Sequence, residues 1–334
     1  MNPLHLLLAF APVTAFLIAL VVLDSFKLVR VRDVVRSLTA GGVAALVSLG
    51  INVALVRFAG VSADALPRLL APLIEEAAKA AMIVWLVRKG RLGFLVDAAI
   101  HGFAMGAGFA LIENLYYAET LGSGELSLWL IRGLGTAVMH GTTTAIFAIL
   151  AKELTERHAS RAARWFVPGY LVAVAIHAGF NLFILPPVIT TVALLAIFPM
   201  VLGIVFERSE RATRDWLGAG MDRDVEALDQ ILSGEVLSTR VGHYLHELRT
   251  RLPGAVVADM LCLLRVQLEL SLRAKGLMIA RSAGIDVPPG PDVRANLQEM
   301  RFLERSIGRT GLLALKPLLH GRERWERELL KTPD

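Results

Sequence analysis

The sequence predicts an all-α fold, a polytopic transmembrane helix bundle of about seven spans followed by a soluble helical C-terminal tail. Of the 334 residues, 55% are hydrophobic, whereas a soluble globular domain has roughly 45–50%. The long apolar runs are confined to residues 1–206, and residues 207–334 are rich in charge. We therefore divide the chain into a membrane-embedded domain, 1–206, and a helical tail, 207–334.

The membrane-embedded domain contains seven apolar runs, each long enough to cross a bilayer as a helix at ~1.5 Å per residue. They cover residues 4–23, 39–59, 66–87, 94–118, 126–150, 166–185 and 188–206. No basic residue precedes the first run, and Lys27 and Arg30 follow it. This pattern favours a retained helix over a cleaved signal peptide.

The charges of the loops predict the orientation, because cytoplasmic loops carry an excess of Lys and Arg. Basic residues cluster after the first, third and fifth runs, and the alternate loops hold only Arg57 and Arg68. The clustered residues are Lys27, Arg30, Arg32, Arg36, Arg88, Lys89, Arg91, Lys152, Arg157, Arg161 and Arg164. We expect a multi-pass protein of the cell membrane with its N-terminus outside and its tail in the cytoplasm.

The tail is predicted to form soluble helices. Apolar residues recur at helical spacing within 222–232 and within 254–279, and the charged residues of the second stretch make it amphipathic, not an eighth span. Residues 293–319 predict one or two helices with a break near Gly308. The small net charge of the tail argues against a nucleic-acid partner, and the single cysteine, Cys262, excludes an intrachain disulfide and a cysteine metal cluster.

The third run carries Glu75, Glu76 and Lys79 in an otherwise apolar stretch. An ionisable side chain at bilayer depth costs at least ~2.5 kcal/mol, so such groups need a partner or a function. Three more ionisable groups lie at similar depth on other predicted helices: Glu113, His140 and His177. Glu75 and Lys79 are four residues apart and share a helix face, so we expect Lys79 to act on Glu75 while Glu76 points elsewhere.

Two histidines and a carboxylate are a common catalytic zinc set that leaves a position for water. A second carboxylate then serves as the general base of a peptide hydrolysis, and Asn181, one turn after His177, is placed to stabilise an oxyanion. The chain has no His-Glu-x-x-His motif, so separate helices would supply the ligands. The same groups also suit a proton-coupled transporter or polar contacts within a non-catalytic scaffold.

Four short motifs resemble those of the PrsW family of intramembrane metalloproteases, distant relatives of the CAAX prenyl proteases and bacteriocin-processing membrane proteases. They are Glu75-Glu76-Ala77-Ala78-Lys79, Phe109-Ala110-Leu111-Ile112-Glu113, His140-Gly141 and His177-Ala178-Gly179-Phe180-Asn181. In the CAAX relatives a histidine typically stands where this chain has Glu113, which favours the PrsW branch. The resemblance implies an endopeptidase that cuts a membrane-anchored protein substrate, for example an anti-sigma-factor-like protein.

The resemblance also implies roles for individual residues. Glu75 and Glu76 would be catalytic, with Glu75 preferred as the general base because Lys79 shares its face, and Asn181 would be an accessory polar group. The expected Zn²⁺ ligands are Glu113, His140 and His177. A metal-free glutamate protease remains the alternative mechanism, in which a carboxylate and a histidine activate the water.

Overall fold

A computed structural model of the chain confirms the all-helical class. It describes residues 3–24, 29–62, 68, 70–120, 129–182, 184–285, 287–288, 290–319, 325–326 and 328–329. No strand occurs within these ranges. The chain divides into two compact units, Met1–Ser209 and Glu210–Asp334, and each is described by itself. The assignment of 1–206 and 207–334 as a protease domain and a tail domain stays a proposal.

The helices of the first unit follow the predicted apolar runs. They are α1 (Pro3–Val22), α2 (Val31–Phe58), α3 (Ala71–Arg88), α4 (Leu95–Thr120), α5 (Ala137–Arg157), α6 (Val167–Asn181) and α7 (Pro187–Leu217), which begins in the first unit and continues past its last residue, Ser209. A short π-helical segment, Ile131–Thr136, leads directly into α5. The predicted starts of the third and fifth runs, at residues 66 and 126, lie outside the described residues.

Within the described residues, four helical stretches are long and apolar enough to cross a membrane: Val31–Phe58, Leu95–Glu119, Ile131–Arg157 and one that begins at Pro187. The count of seven spans therefore stays a prediction. Helix α3 contains four charged residues, Glu75, Glu76 and Lys79 in its first half and Arg88 at its end, and their charges lower its hydropathy. Helix α6 has 15 residues, about 22 Å of helix at 1.5 Å per residue, which is shorter than a typical hydrocarbon core of ~30 Å.

Helix α4 is the centre of the first unit and packs most extensively against α5 and α2. Within the apolar span of α4, 83% of the residues are buried in the protein, compared with 22% in α2. The apolar side chains on the outer face of α2 are exposed, for example Val43 and Leu46. In a bilayer these side chains would contact lipid, so α4 and α5 form the interior of the bundle.

Helices α4 and α5 touch backbone to backbone at Gly106. A Cβ atom at this position would lie 2.0 Å from the carbonyl oxygen of His140, a distance that no side chain can occupy. Gly102 is similar, because its Cβ would lie 2.7 Å from the carbonyl oxygen of Thr144. Small residues permit this close approach in membrane helices, as the glycines of the fourth run predict, and the approach fixes the position of His140 relative to α4.

The second unit contains four longer helices within its described residues: α8 (Ala219–Ser233), α9 (Arg240–Leu248), α10 (Gly254–Ser282) and α11 (Pro291–Leu315). Helix α10 buries an apolar face that includes Leu263 and Leu270 in a core shared with Met300 and Trp325. The sequence predicts an amphipathic helix for either a core or a membrane surface, and the apolar face of α10 packs in a core. Helix α11 is kinked at Gly308, where φ is +64°, within the predicted break.

Helix α9 was not predicted from the sequence. It has only nine residues and begins at a cap in which the side chain of Thr239 accepts a hydrogen bond from the backbone N–H of Gly242. Such a side-chain cap satisfies a backbone donor that has no partner in the first turn. A helix this short gives too few apolar residues for a clear period.

Candidate metal centre and active site

Four helices of the first unit converge on one group of ionisable side chains, which we name the polar cluster. Helix α3 supplies three of them, and α4, α5 and α6 supply one each. The members are Glu75, Glu76, Lys79, Glu113, His140 and His177. Because the members come from four separate stretches of sequence, only the packing of the bundle can bring them into contact.

Three members of the polar cluster are arranged as a metal site would require. Glu75, His140 and His177 each offer one ligand atom, and these atoms all lie within 4.8 Å of one another. The side chain of Glu75 is 12% exposed and that of His177 is 2% exposed, while His140 is fully buried. Two imidazoles and one carboxylate are the donor set of many catalytic zinc sites, so the chemistry of these residues fits the ion.

The ring of His177 is oriented by Glu76. Nδ1 of His177 lies 2.8 Å from Oε1 of Glu76, and since an ionised carboxylate only accepts hydrogen bonds, Nδ1 carries the proton. The other ring nitrogen, Nε2, is therefore the lone-pair donor, and it lies 3.7 Å from Oε2 of Glu75. A carboxylate behind a histidine is the usual support for a metal-ligating imidazole.

His140 lies between a cation and a carboxylate. Its Nδ1 is 3.0 Å from Nζ of Lys79, and its Nε2 is 3.0 Å from Oε2 of Glu113. An ammonium group only donates hydrogen bonds, so Nδ1 accepts from Lys79 and Nε2 carries the hydrogen that faces Oε2 of Glu113. A metal ion bound at Nε2 of His140 would displace that hydrogen as a proton. The rings of His140 and His177 meet edge to face at 4.7 Å between centroids.

Lys79 shares a helix face with Glu75, but its close ion pair is with Glu76. Nζ of Lys79 lies 2.5 Å from Oε1 of Glu76, and both side chains are almost fully buried. Residues three and four apart on a helix are both neighbours, and here the buried face of α3 contains Glu76 and Lys79. A buried cation needs its counter-charge within that same dry environment, while Glu75 lies on the side that is partly accessible.

Two residues that the sequence analysis considered occupy other positions. Asn181 is the last residue of α6, one turn after His177, and is partly buried. His101 lies three turns from Glu113 on α4, and its Nδ1 is 2.8 Å from Oγ of Ser37. His101 is thus bonded to α2 and is not a member of the polar cluster.

A comparison with models of protein families identifies the chain. The model for PrsW family intramembrane metalloproteases matches residues 30–204, which is more than half of the sequence and includes the whole polar cluster. The chain belongs to the PrsW family. Comparisons with curated proteins and with solved structures gave no match. Family membership makes the chain an intramembrane protease at the level of the family and supports a metal site in this bundle.

The sequence analysis missed two residues around the site of this PrsW-family chain. Thr143, one turn after His140, donates to Oε1 of Glu76 at 3.3 Å. Arg132 lies in the π-helical segment with Nη2 at 3.5 Å from Oε2 of Glu113. A lone arginine inside the fifth apolar run was the available signal for the second, because a buried cation in a membrane span requires a partner.

Proposed function

We propose that this PrsW-family chain is a zinc-dependent intramembrane endopeptidase that hydrolyses a peptide bond of a membrane-anchored protein, for example an anti-sigma-factor-like protein. The observation that carries the proposal is the mutual approach, within 4.8 Å, of ligand atoms from Glu75, His140 and His177. These residues come from three different helices, α3, α5 and α6. Family membership favours a protease over a proton-coupled transporter built from the same groups.

In this proposal Glu75, His140 and His177 hold the ion, and Glu113 is the general base. A bound zinc ion would supply Lewis-acid activation of the scissile carbonyl and of the attacking water. Glu113 contacts His140 directly and has the more exposed side chain of the two candidate bases, 22% compared with 12% for Glu75. This assignment exchanges the roles of Glu75 and Glu113 that the sequence suggested.

Glu76 has a supporting role in this proposal. Its Oε1 receives hydrogen bonds from Lys79, His177 and Thr143, and its side chain is 2% exposed. A carboxylate oxygen with three donors in a dry environment is fixed in position and is already engaged as an acceptor. Glu76 therefore orients His177, and Lys79 balances its charge and orients His140.

Asn181 remains the proposed accessory polar group, because its amide at the end of α6 can donate to an oxyanion. The topology is also a proposal: a multi-pass protein of the cell membrane with the N-terminus outside and the residues after 206 in the cytoplasm. The substrate enters this scheme from the bilayer, since the exposed apolar faces of helices such as α2 would contact lipid.

The test combines metal analysis with an unbiased search for cleavage. Wild type and the variants Glu75→Gln and Glu113→Gln are purified in detergent, and zinc is measured by elemental mass spectrometry. In parallel, membranes of cells that express each protein are searched by mass spectrometry for new protein N-termini in or beside transmembrane segments. The matched control is Glu153→Gln, a partly buried glutamate on α5 outside the polar cluster.

We expect close to one zinc ion per chain in wild type and in Glu113→Gln, full cleavage in wild type and the control, and only a small residual cleavage in Glu113→Gln. Glu75→Gln should lose both zinc and cleavage. Zinc loss in Glu113→Gln with retention in Glu75→Gln would return the two residues to the roles suggested by the sequence. Wild-type cleavage without zinc in any sample, even after zinc is supplied, would indicate the metal-free glutamate mechanism.

A further inference from the structure

Arg132 is a buried cation next to the polar cluster, and no motif of the sequence analysis includes it. It lies in the π-helical segment Ile131–Thr136 and is 9% exposed. Three contacts from α4 surround its guanidinium. Nη2 is 3.5 Å from Oε2 of Glu113, Nε donates to Oδ1 of Asn114 at 3.2 Å, and Cζ is 3.7 Å from the ring centroid of Tyr117.

The backbone that carries Arg132 is held from the opposite side by α1. A Cβ atom at Gly133 would lie 1.8 Å from the carbonyl oxygen of Leu8, so the π-helical segment and α1 are in direct backbone contact. Asn114 also donates from Nδ2 to the carbonyl oxygen of Ala9 at 3.1 Å. Arg132 is therefore fixed between α1 and α4, and π-helical turns of this kind are frequent at functional sites.

The charges around Arg132 determine what it can do. Tyr117 offers a ring face and Asn114 a neutral oxygen, while Glu113 is the carboxylate within ion-pair distance in the described part of the chain. Arg132 and His140 both approach Oε2 of Glu113. Oε1 of Glu113 consequently makes no hydrogen bond to the residues that the structure describes.

We propose that Arg132 is the positioning residue of Glu113. It holds Oε2 against His140, and this leaves Oε1 to accept the proton of the attacking water. The inference rests on the proposed function in assigning Glu113 as the base, and adds a residue that acts through it. Nη2 of Arg132 and Oε2 of Glu113 are 3.5 Å apart, which is longer than a typical hydrogen bond. Arg132 therefore acts on the carboxylate as an ion-pair partner that orients Oε2, and Glu113 stays ionised.

The variant Arg132→Gln removes the charge and keeps a polar side chain. We expect cleavage to fall about 10- to 100-fold, the usual effect of losing a residue that supports an active site, with zinc content unchanged. With a peptide that covers one mapped cleavage site, kcat should fall and KM should change little. Added guanidinium should restore part of the activity of Arg132→Gln.

Two further variants complete the series. Arg132→Lys should be intermediate, because an ammonium keeps the charge but lacks the planar fork that reaches Asn114 and Glu113 together. Arg57→Gln, in the last turn of α2, removes an exposed positive charge that is not part of the polar cluster, and should cleave as wild type does. If Arg132→Gln fails to fold, the test uses Arg132→Lys, for which we expect a smaller decrease in kcat.

A double-mutant cycle with Glu113→Gln decides whether Arg132 acts through Glu113. The double variant should cleave no more slowly than Glu113→Gln alone. The inference is overturned if Arg132→Gln cleaves like wild type. It is also overturned if Arg132→Gln lowers the cleavage rate by the same factor in the wild-type chain and in Glu113→Gln. If Glu113→Gln itself cleaves normally, the proposed function fails instead. In that case the unfolding temperatures of the two single variants and the double variant test the Arg132–Glu113 pair. If the shift in the double variant equals the sum of the two single shifts, the pair does not interact and the inference is overturned.

Discussion

Glu76 on α3 fixes the ring of His177 on α6. Oε1 of Glu76 accepts a hydrogen bond from Nδ1 of His177 at 2.8 Å, so Nε2 of His177 is turned toward Glu75 at 3.7 Å. The two adjacent glutamates of α3 thus stand on different sides of one imidazole. Glu76 lies behind the ring as its support, and Glu75 lies in front of it with the candidate metal ligands.

Replacing Glu76 by Gln should weaken zinc binding and cleavage by about 10- to 100-fold, the usual effect of losing a carboxylate behind a metal-ligating histidine. An amide oxygen at the Oε1 position would be a neutral and weaker acceptor for Lys79 and His177, and an amide nitrogen at that position would meet three donors as a further donor. Zinc affinity measured by competition with a chelator checks this, with Glu153→Gln as the control. Wild-type zinc affinity in Glu76→Gln would contradict the supporting role.

Replacing Lys79 by Met should destabilise the protein by about 3–5 kcal/mol, because it leaves the buried charge of Glu76 uncompensated. Thermal unfolding of the detergent-solubilised protein measures the loss. The double variant Lys79→Met with Glu76→Gln should recover part of the stability, because it removes the buried charge as well. A double variant that is less stable than Lys79→Met would show that the pair 2.5 Å apart does not account for the loss.

Gly106→Ala tests the close contact of α4 and α5. The new Cβ would meet the carbonyl oxygen of His140 at 2.0 Å, so α5 must move and carry His140 with it. We expect a loss of stability of about 1–3 kcal/mol, typical of overpacking, together with loss of zinc and cleavage. The control is Gly50→Ala on α2, where nothing lies within 4 Å of the added atom. If Gly106→Ala matches Gly50→Ala in stability, zinc content and cleavage, the close contact of α4 and α5 is not needed to place His140.

The orientation in the membrane can be tested with the natural cysteine. Cys262 is the only cysteine of the sequence, and it is exposed on α10. If the tail is cytoplasmic, a membrane-impermeant maleimide should label inside-out vesicles and leave intact spheroplasts unlabelled. Cys262→Ser gives the background signal. Labelling of intact spheroplasts would reverse the orientation that the loop charges predict.

The length and hydropathy of the apolar runs were enough to predict the helices of the first unit, and the period of the tail predicted the amphipathic α10. Both signals are local, because a helix forms within one stretch of sequence. The short α9 gave no such signal, since nine residues contain little more than two helical turns.

The sequence by itself determined the all-helical class, the family, and which ionisable residues lie within apolar runs, since a charge in an apolar run needs a partner or a function wherever the run packs. The tertiary structure decided which partner each charge has. Lys79 has two glutamates within one turn, and burial of one face of α3 selected Glu76. Likewise, Arg132 reaches Glu113 because α1 and the π-helical segment touch at Gly133, a contact between distant stretches of sequence that no local pattern encodes.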